Sequence, residues 1–309
     1  MRNAPEVITL EDLGIVRVRG IDAVRFLQGQ LSNDVARLSA AHSILAGYHN
    51  PQGRTIAVLR LMQWDAEAGD ILAVVPRELA GVVASRLGKF VLRAKVKISD
   101  ESAGWRVSGL VDGTLASAGR PSLRELPSLL SAQSRGDGAV FVRVGDDPAR
   151  WLIVSPADAP APTSGHAVGD PQTWLRLDIA AGQPQVCAAT SEEFVAQMLN
   201  LDVLNAIAFD KGCYTGQEVI ARAHYRGRVK RRMQRFVSRD ACQLAPGDSG
   251  QLADGRAFKV VLATQLGRGR CEFLAVAPLA GGAHDEASAT AAAATIVADQ
   301  VSLPYSLPD

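Results

Sequence analysis

The sequence lacks the motifs on which most metal sites, nucleotide sites and nucleophilic enzymes depend. Its four cysteines include no CxxC pair, and none has a histidine at ligand spacing, so a self-contained zinc or iron–sulfur site is not expected. No Walker-type loop occurs, and no G-x-G-x-x-G follows a predicted strand. No serine or histidine lies in a recognisable nucleophile motif. The common carriers of enzyme chemistry are therefore missing.

The chain also has little net charge and no long apolar segment. A net charge of +1 over 309 residues gives no overall field toward nucleic acid or membranes. The longest nearly apolar run, residues 287–298, consists mostly of small residues and is too short to span a bilayer. The first residues do not read as a secretory signal, so we expect a cytoplasmic protein with reduced thiols.

One cysteine has a distinctive setting, in the sequence Lys-Gly-Cys-Tyr-Thr-Gly-Gln-Glu at residues 211–218. Thr215 and Glu218 have the spacing of a capping box, which predicts that a helix begins there. The positive end of that helix and the ammonium of Lys211 would both favour the thiolate of Cys213. The alternative is a tight turn that contains a small, buried cysteine.

A chain of 309 residues is too long for one small core, so two or three domains are expected, and the apolar periodicity favours an α+β protein. Two units of strand, turn, strand and proline indicate a weakly duplicated module, and the short apolar runs after residue 236 favour a small β-barrel. A helix is predicted to begin after Pro76, and another to cover residues 192–201. Strands are predicted at residues 15–18, 44–48, 55–62, 71–75, 91–98, 140–144, 151–154, 174–179, 258–264 and 271–276.

A basic run follows the cysteine motif, with seven lysine or arginine residues and no acid between positions 222 and 235. Such a run is typical either of a solvated linker or of a site for a polyanion, such as a cofactor's glutamate tail or an RNA backbone. Interleaved aromatic residues are few, which counts against a dedicated reader of single strands.

Within the strand predicted at residues 174–179, Trp174, Arg176 and Asp178 would share one face. An indole, a guanidinium and a carboxylate on one face are suited to holding a flat ring that forms hydrogen bonds. The alternative is an ordinary exposed sheet face with a half-buried tryptophan.

Taken together, these segments resemble the YgfZ-type folate-binding proteins, which are relatives of the T-protein (aminomethyltransferase) of the glycine cleavage system. The cysteine motif is the most specific match, and the resemblance covers nearly the whole chain. The matching segments lie at residues 26–35, 51–54, 95–96, 174–184, 200–222, 225–227 and 303–307.

The resemblance implies a three-domain cloverleaf around a central opening, with two interlocked α+β modules and a C-terminal β-barrel. Residues 1–230 would form the folate-binding region, and residues 231–309 the barrel. Within the first region, module one would take in about 1–42 and 115–230, and module two about 43–114.

The resemblance also implies that tetrahydrofolate binds in the opening and that the protein supports certain iron–sulfur enzymes, including one that thiomethylates tRNA. The expected partners are folate and iron–sulfur client or assembly proteins, and independent turnover is not expected. Because one thiolate cannot hold a cluster, no stable metal is expected in the isolated monomer. The alternative is a folate-dependent aminomethyl transferase. Direct tRNA binding is not expected, given the near-neutral charge.

For the site itself, Cys213 matches the family's signature thiol, with Lys211 and Asp34 as further functional side chains. Leu13 and Trp174 match family folate-contact positions, although the family can carry an aromatic residue in place of the leucine. Ala180 replaces the carboxylate of the family's Ile-Glu-Ala-Gly, and Asp178 is the candidate to supply the missing acceptor. The complete set of predicted folate contacts is Leu13, Trp174, Arg176, Asp178, Gln197 and Arg226.

Overall fold

The computed structural model describes residues 5–112, 131, 133–136, 138–161, 166–227, 229–279 and 295–308. Over these residues, strands in three sheets and a few short helices form a mixed α/β fold. The helices are α1 (Ala23–Gln28), α2 (Arg77–Gly88), α3 (Pro171–Ala180) and α4 (Gln217–Tyr225). The strands are β1 (Glu6–Thr9), β2 (Leu13–Arg19), β3 (Ile44–His49), β4 (Thr55–Asp65), β5 (Asp70–Pro76), β6 (Lys97–Asp100), β7 (Trp105–Asp112), β8 (Gln133–Gly136), β9 (Ala139–Asp146), β10 (Ala149–Pro156), β11 (Ala167–Val168), β12 (Arg231–Ser238), β13 (Ser249–Leu252), β14 (Ala257–Gln265), β15 (Cys271–Pro278), β16 (Thr295–Ile296) and β17 (Ala298–Val301).

The first sheet is antiparallel, in the order β3-β4-β5-β2-β6. The predicted turn between β3 and β4 is confirmed, and Asn50 shapes it, because its side-chain oxygen accepts hydrogen bonds from the backbone N–H groups of Gln52 and Arg54. The predicted helix after Pro76 is also confirmed as α2, which buries Leu79 and Val83 against this sheet.

The second sheet, in the order β11-β1-β7-β10-β9-β8, packs face to face with the first. Ile15, Met62 and Val74 of the first sheet share an apolar cluster with Val107 and Val142 of the second. The two sheets therefore share one interior, and β1, near the start of the chain, is hydrogen-bonded to the much later β7.

The third sheet is barrel-like and nearly closed, in the order β16-β13-β14-β15-β12-β17. Its interior is built on Phe236, Phe258 and Phe273, whose ring centroids lie 5.4 and 5.5 Å apart for the two pairs that include Phe273. The short apolar runs near the C-terminus predict this sheet correctly. The limits of the domains stay a prediction.

The strand predicted at residues 174–179 is wrong, because these residues belong to helix α3. Asp170 caps this helix by accepting a hydrogen bond from the backbone N–H of Gln172, and Pro171 follows in the first turn. Helical residues four apart share a face, whereas residues two apart do not. Trp174 and Asp178 therefore share a face that excludes Arg176, which is exposed.

The helix predicted at residues 192–201 is also wrong, since only a 3-10 helix at Ala196–Leu199 forms there. The backbone of the preceding residues is paired with the start of β4 instead. Glu192 N donates to Thr55 O at 2.8 Å, and Thr55 N donates to Phe194 O at 2.7 Å. Tertiary pairing thus replaces the local helical preference.

The predicted capping box at Thr215 and Glu218 is wrong as well. Gly216 is the N-cap of α4, with φ of 83°, and no side chain caps the helix. A Cβ atom at Gly216 would lie 2.5 Å from Asn50 O, so the β3–β4 turn packs directly on this backbone. Both the left-handed conformation and this close contact favour glycine.

Candidate functional site

A cavity of about 800 Å³ lies among segments that are far apart in the sequence. Its wall combines the loop before β3, the β9–β10 hairpin, the end of α3 and the tail of the chain. The lining residues fall within positions 33–45, 60, 131, 143–150, 180–183, 203–205 and 304–305. Pockets for small organic ligands commonly measure ~300–1,000 Å³, so the volume suits a ligand of that class.

Arginine residues give part of the cavity wall a positive charge. Arg143 forms a 3.1 Å ion pair with Asp146, which also lines the cavity. Arg60 has no carboxylate partner among the described residues, and its Nη1 donates a 3.0 Å hydrogen bond to Ser131 Oγ. Burial lowers the pKa of Arg60 to about 10, because the guanidinium has lost hydration. Arg60 still carries its charge at neutral pH.

The side chain of Arg150 is held in place by three neighbours. Its Nη1 donates a 2.6 Å hydrogen bond to Asp178 Oδ1, and its guanidinium lies 5.1 Å from the centre of the Trp174 ring. It crosses Gly145, where a Cβ atom would lie only 2.5 Å from Arg150 Nε. Although the side chain is only 2% exposed, its Nη2 has no hydrogen-bond partner among the described residues. One donor of a fixed cation is thus unused.

Trp174 and Leu13 lie behind the cavity wall rather than on it. Both belong to the apolar cluster between the two sheets, and each is 7% exposed. The Trp174 ring packs on the backbone of Gly109, where a Cβ atom would lie 2.3 Å from the ring. Ala180 lines the cavity, whereas the Asp178 carboxylate is bound to Arg150. Trp174 and Asp178 therefore influence the cavity indirectly, because they hold the Arg150 guanidinium in place.

Asp34 is one of the carboxylates on the cavity wall. Its carboxylate accepts a 2.8 Å hydrogen bond from Gln28 Nε2 and a 3.2 Å hydrogen bond from Ala36 N, which caps the 3-10 helix Val35–Arg37. The carboxylate is thereby held in a fixed position at the cavity, where it offers an acceptor to a ligand.

Lys211 connects the cysteine motif to this wall. Its Nζ donates hydrogen bonds to Leu31 O at 2.7 Å and Asn33 O at 2.6 Å, in the segment that leads into Asp34. Burial lowers the pKa of Lys211 to about 8, while the charge of Asp34 acts in the opposite direction. The lysine therefore anchors the motif on the backbone that carries a cavity carboxylate.

Cys213 is exposed, so the alternative of a small buried cysteine is wrong. Its neighbour Tyr214 is buried, and the Lys211 ammonium lies 5.2 Å from the centre of the Tyr214 ring. The residues on either side thus hold the backbone, while the thiol faces solvent. A fixed and accessible thiol is suited to reaction with a partner molecule.

The remaining predicted contacts do not line the cavity. Gln197 is 1% exposed and donates a 2.7 Å hydrogen bond from Nε2 to Ile220 O, which joins the 3-10 helix to α4. Arg176 and Arg226 are exposed. Their roles in binding stay predictions.

The basic run at residues 222–235 is not a single solvated stretch, because β12 begins inside it. Arg232 forms a buried 2.8 Å ion pair with Asp202, and Arg235 forms a 2.5 Å ion pair with Glu272. These arginines stabilise the third sheet and its contact with the preceding segment, so they do not form a polyanion site with the rest of the run.

The arginines of the cavity wall were missed in the reading of the sequence. Arg60 and Arg143 interrupt largely apolar strands, and Arg150 is the second residue of another such strand. A charged residue within a buried strand needs a polar partner or a ligand, and this is the signal that identifies them.

No family model matches the chain. A tRNA-modifying protein YgfZ from Pectobacterium carotovorum subsp. carotovorum (strain PC1) is 32% identical over 287 residues, which is 88% of this chain and 84% of the relative. The chain belongs to the YgfZ family. The protein of the same name from Yersinia pseudotuberculosis serotype O:1b (strain IP 31758) is 33% identical over 231 residues, which is 73% of this chain and 68% of that one.

Among solved structures, the aminomethyltransferase T of the glycine cleavage system from Bartonella henselae has the same fold. The TM-score is 0.69 at 17% identity, and the match covers 90% of this chain and 79% of that chain. Across the described residues, no group of three histidine, cysteine or acidic side chains is placed to hold a metal ion. Nor does any described helix have the length and apolar character needed to cross a membrane.

Proposed function

We propose that this protein binds tetrahydrofolate in the cavity and supports the assembly or repair of iron–sulfur enzymes, including enzymes that modify tRNA. The YgfZ relatives are named as tRNA-modifying proteins, and the fold is that of a glycine cleavage aminomethyltransferase. The observation that carries the proposal is the cavity of about 800 Å³ beside a segment that presents an exposed thiol. In this proposal the chain forms three domains around the cavity, with residues 231–309 as the C-terminal barrel.

The residues around the cavity fit a folate chemically. A folate joins a flat ring that donates and accepts hydrogen bonds to a glutamate that carries carboxylates. Asp34 and Asp146 supply acceptors, Arg60 supplies a hydrogen-bond donor, and both Arg60 and Arg150 supply positive charge. When bound, a reduced folate supplies a carrier for one-carbon units. In this proposal Trp174 and Asp178 act by positioning Arg150.

Cys213 is proposed to act as a thiolate toward an iron–sulfur client or assembly protein. It serves either as a transient ligand to a cluster shared with that protein or in the exchange of sulfur. Iron–sulfur clusters usually take four protein ligands, so one thiolate needs ligands from a partner. Its exposure at the surface is compatible with such a shared role.

Two measurements on wild type and Cys213→Ser test the proposal. The first is calorimetric titration with tetrahydrofolate under anaerobic conditions. The second is the level of thiomethylated tRNA in a bacterial strain that lacks its own YgfZ protein and carries each variant. We expect Cys213→Ser to bind tetrahydrofolate with the wild-type affinity and to fail to restore the modification.

The matched control is Cys187→Ser, which removes a different, partly buried thiol. We expect this variant to behave as wild type in both measurements. Absence of saturable tetrahydrofolate binding by the wild type would remove the centre of the proposal. Stoichiometric iron and sulfide in the purified monomer, or full activity of Cys213→Ser, would contradict the role given to the thiol.

A folate-dependent aminomethyl transferase is the second candidate, and the observation in its favour is Asp34. This carboxylate lines the cavity and is held by hydrogen bonds, as an acidic group that assists transfer to tetrahydrofolate must be. Turnover of an aminomethyl donor that disappears in Asp34→Asn would support this candidate. Unchanged turnover in Asp34→Asn, or no turnover in the wild type, would count against it.

A further inference from the structure

Arg60 and Arg150 both line the cavity, and both lie near the carboxylate of Asp178. Burial raises the pKa of Asp178, and the charges of Arg150 and Arg60 partly counteract that effect, so both guanidinium groups act on this one carboxylate. The direct hydrogen bond joins Asp178 to Arg150 Nη1 at 2.6 Å. Arg60 has no carboxylate partner of its own among the described residues, so its positive charge on the cavity wall is available to a ligand.

The local packing holds Arg150 in a fixed position. Gly145 leaves room for the Arg150 side chain, and Asp178 and Trp174 hold two sides of its guanidinium. Its Nη2 is buried and has no partner among the described residues, and Arg60 has only the Ser131 hydroxyl. Because Arg150 Nη2 is buried, Arg150 acts on a ligand in the cavity through its positive charge, whereas Arg60 is placed to donate a charge-assisted hydrogen bond.

We propose that Arg60 and Arg150 form a receptor for a carboxylate group of the ligand. This inference rests on the proposed function, and it assigns that carboxylate to the glutamate part of tetrahydrofolate. A paired guanidinium and carboxylate form strong, charge-assisted hydrogen bonds, and the fork of an arginine suits the two oxygens. The receptor replaces the basic run at residues 222–235 in this role, because Arg232 and Arg235 of that run are bound within the fold.

The test compares two ligands that differ in charge. One is tetrahydrofolate, and the other is its α,γ-diamide, in which neutral amides replace both glutamate carboxylates. Calorimetry on the wild type is expected to show that tetrahydrofolate binds more tightly by a factor on the order of ten, the size expected for a charge-assisted hydrogen bond. In Arg60→Gln, this preference is expected to fall below roughly threefold.

Arg37→Gln is the matched control, because Arg37 lines the same cavity but is exposed, and the substitution removes the same charge. We expect it to keep the wild-type preference for tetrahydrofolate. Arg60→Lys is a second variant, which retains the charge without the fork and is expected to show an intermediate preference. Thermal unfolding of each variant establishes that it is folded.

The outcomes separate this inference from the proposed function. If the wild type binds tetrahydrofolate and the diamide equally well, the receptor is wrong and the proposed function stands. If neither ligand binds, both are wrong. If Arg37→Gln loses the preference as completely as Arg60→Gln, the preference follows the total charge of the cavity, and the assignment to Arg60 and Arg150 is overturned.

Discussion

His49 makes the stability of this protein sensitive to acid in a way that can be calculated. The residue ends β3, is 1% exposed, and neither ring nitrogen has a hydrogen-bond partner among the described residues. Gly47 lies close beside it, since a Cβ atom there would be 2.3 Å from His49 Nε2. Burial lowers the pKa of His49 from 6.5 to about 3, because the imidazolium would have to give up its hydration.

The direction and size of the effect follow from the protons bound by each state. At pH values between 6.5 and about 3, the unfolded chain carries a proton on His49 that the native state does not. Above pH 6.5 His49 therefore does not reduce the free energy of unfolding, and below pH 6.5 it reduces it progressively as the pH falls. The loss approaches about 1.4 kcal/mol per pH unit, so His49 alone should lower the free energy of unfolding by about 2 kcal/mol between pH 7 and pH 5.

Urea unfolding at pH 7 and pH 5 gives the change in the free energy of unfolding between the two pH values. The contribution of His49 is the amount by which this change differs between the wild type and His49→Leu. We expect the wild type to lose about 2 kcal/mol more than His49→Leu over this interval, since all other groups cancel in the comparison. His224→Gln, which removes an exposed histidine, is the control for the loss of one histidine. If the wild type and His49→Leu lose the same free energy, the native imidazole is not held neutral and the reasoning fails.

Two further predictions concern packing and thiol access. Gly109→Ala should lower the free energy of unfolding by about 1–3 kcal/mol, because the new methyl group would overlap the Trp174 ring. Gly88→Ala should not destabilise the protein, because the added Cβ would meet no atom of the described residues within 4 Å beyond its neighbours in the chain and its own helix backbone. Denaturant unfolding of both variants checks this, and equal losses would contradict it. Iodoacetamide should alkylate exposed Cys213 well before Cys271, whose burial raises its pKa to about 11, and peptide mass mapping over time would refute this if Cys271 reacted first.

The strands were predictable because apolar periodicity reports burial directly. The runs at residues 55–62 and 140–144 are rich in β-branched and aliphatic residues, and both lie in strands that are buried along most of their length. The turn at residues 50–53 was predictable for a different reason, because asparagine and glycine adopt its conformations without tertiary help.

The errors arose where tertiary contacts or a neglected local signal decided the structure. Polar and apolar residues alternate at positions 174–179, which is typical of a strand. Asp170 and Pro171 just before them, however, are a helix-start signal, and a helix forms there. Residues 192–201 favour a helix locally, yet their backbone bonds to β4. Local sequence patterns could not predict the cavity, because Arg60, Arg150 and Asp34 are far apart in the sequence and come together only when the sheets pack.

The cavity and the exposed thiol share one short piece of backbone, and this gives them a physical route to influence each other. Lys211 Nζ bonds to Leu31 O and Asn33 O, and Asn33 and Asp34 line the cavity. If a ligand shifts this segment, the hydrogen bonds that Lys211 Nζ donates to it change as well. Because Lys211 is two residues from Cys213, the chain itself offers a short path from that change to the thiol. A coupling along this path would be reciprocal: if the ligand changed the affinity of Cys213 for a partner, the partner would change the affinity for the ligand by the same factor.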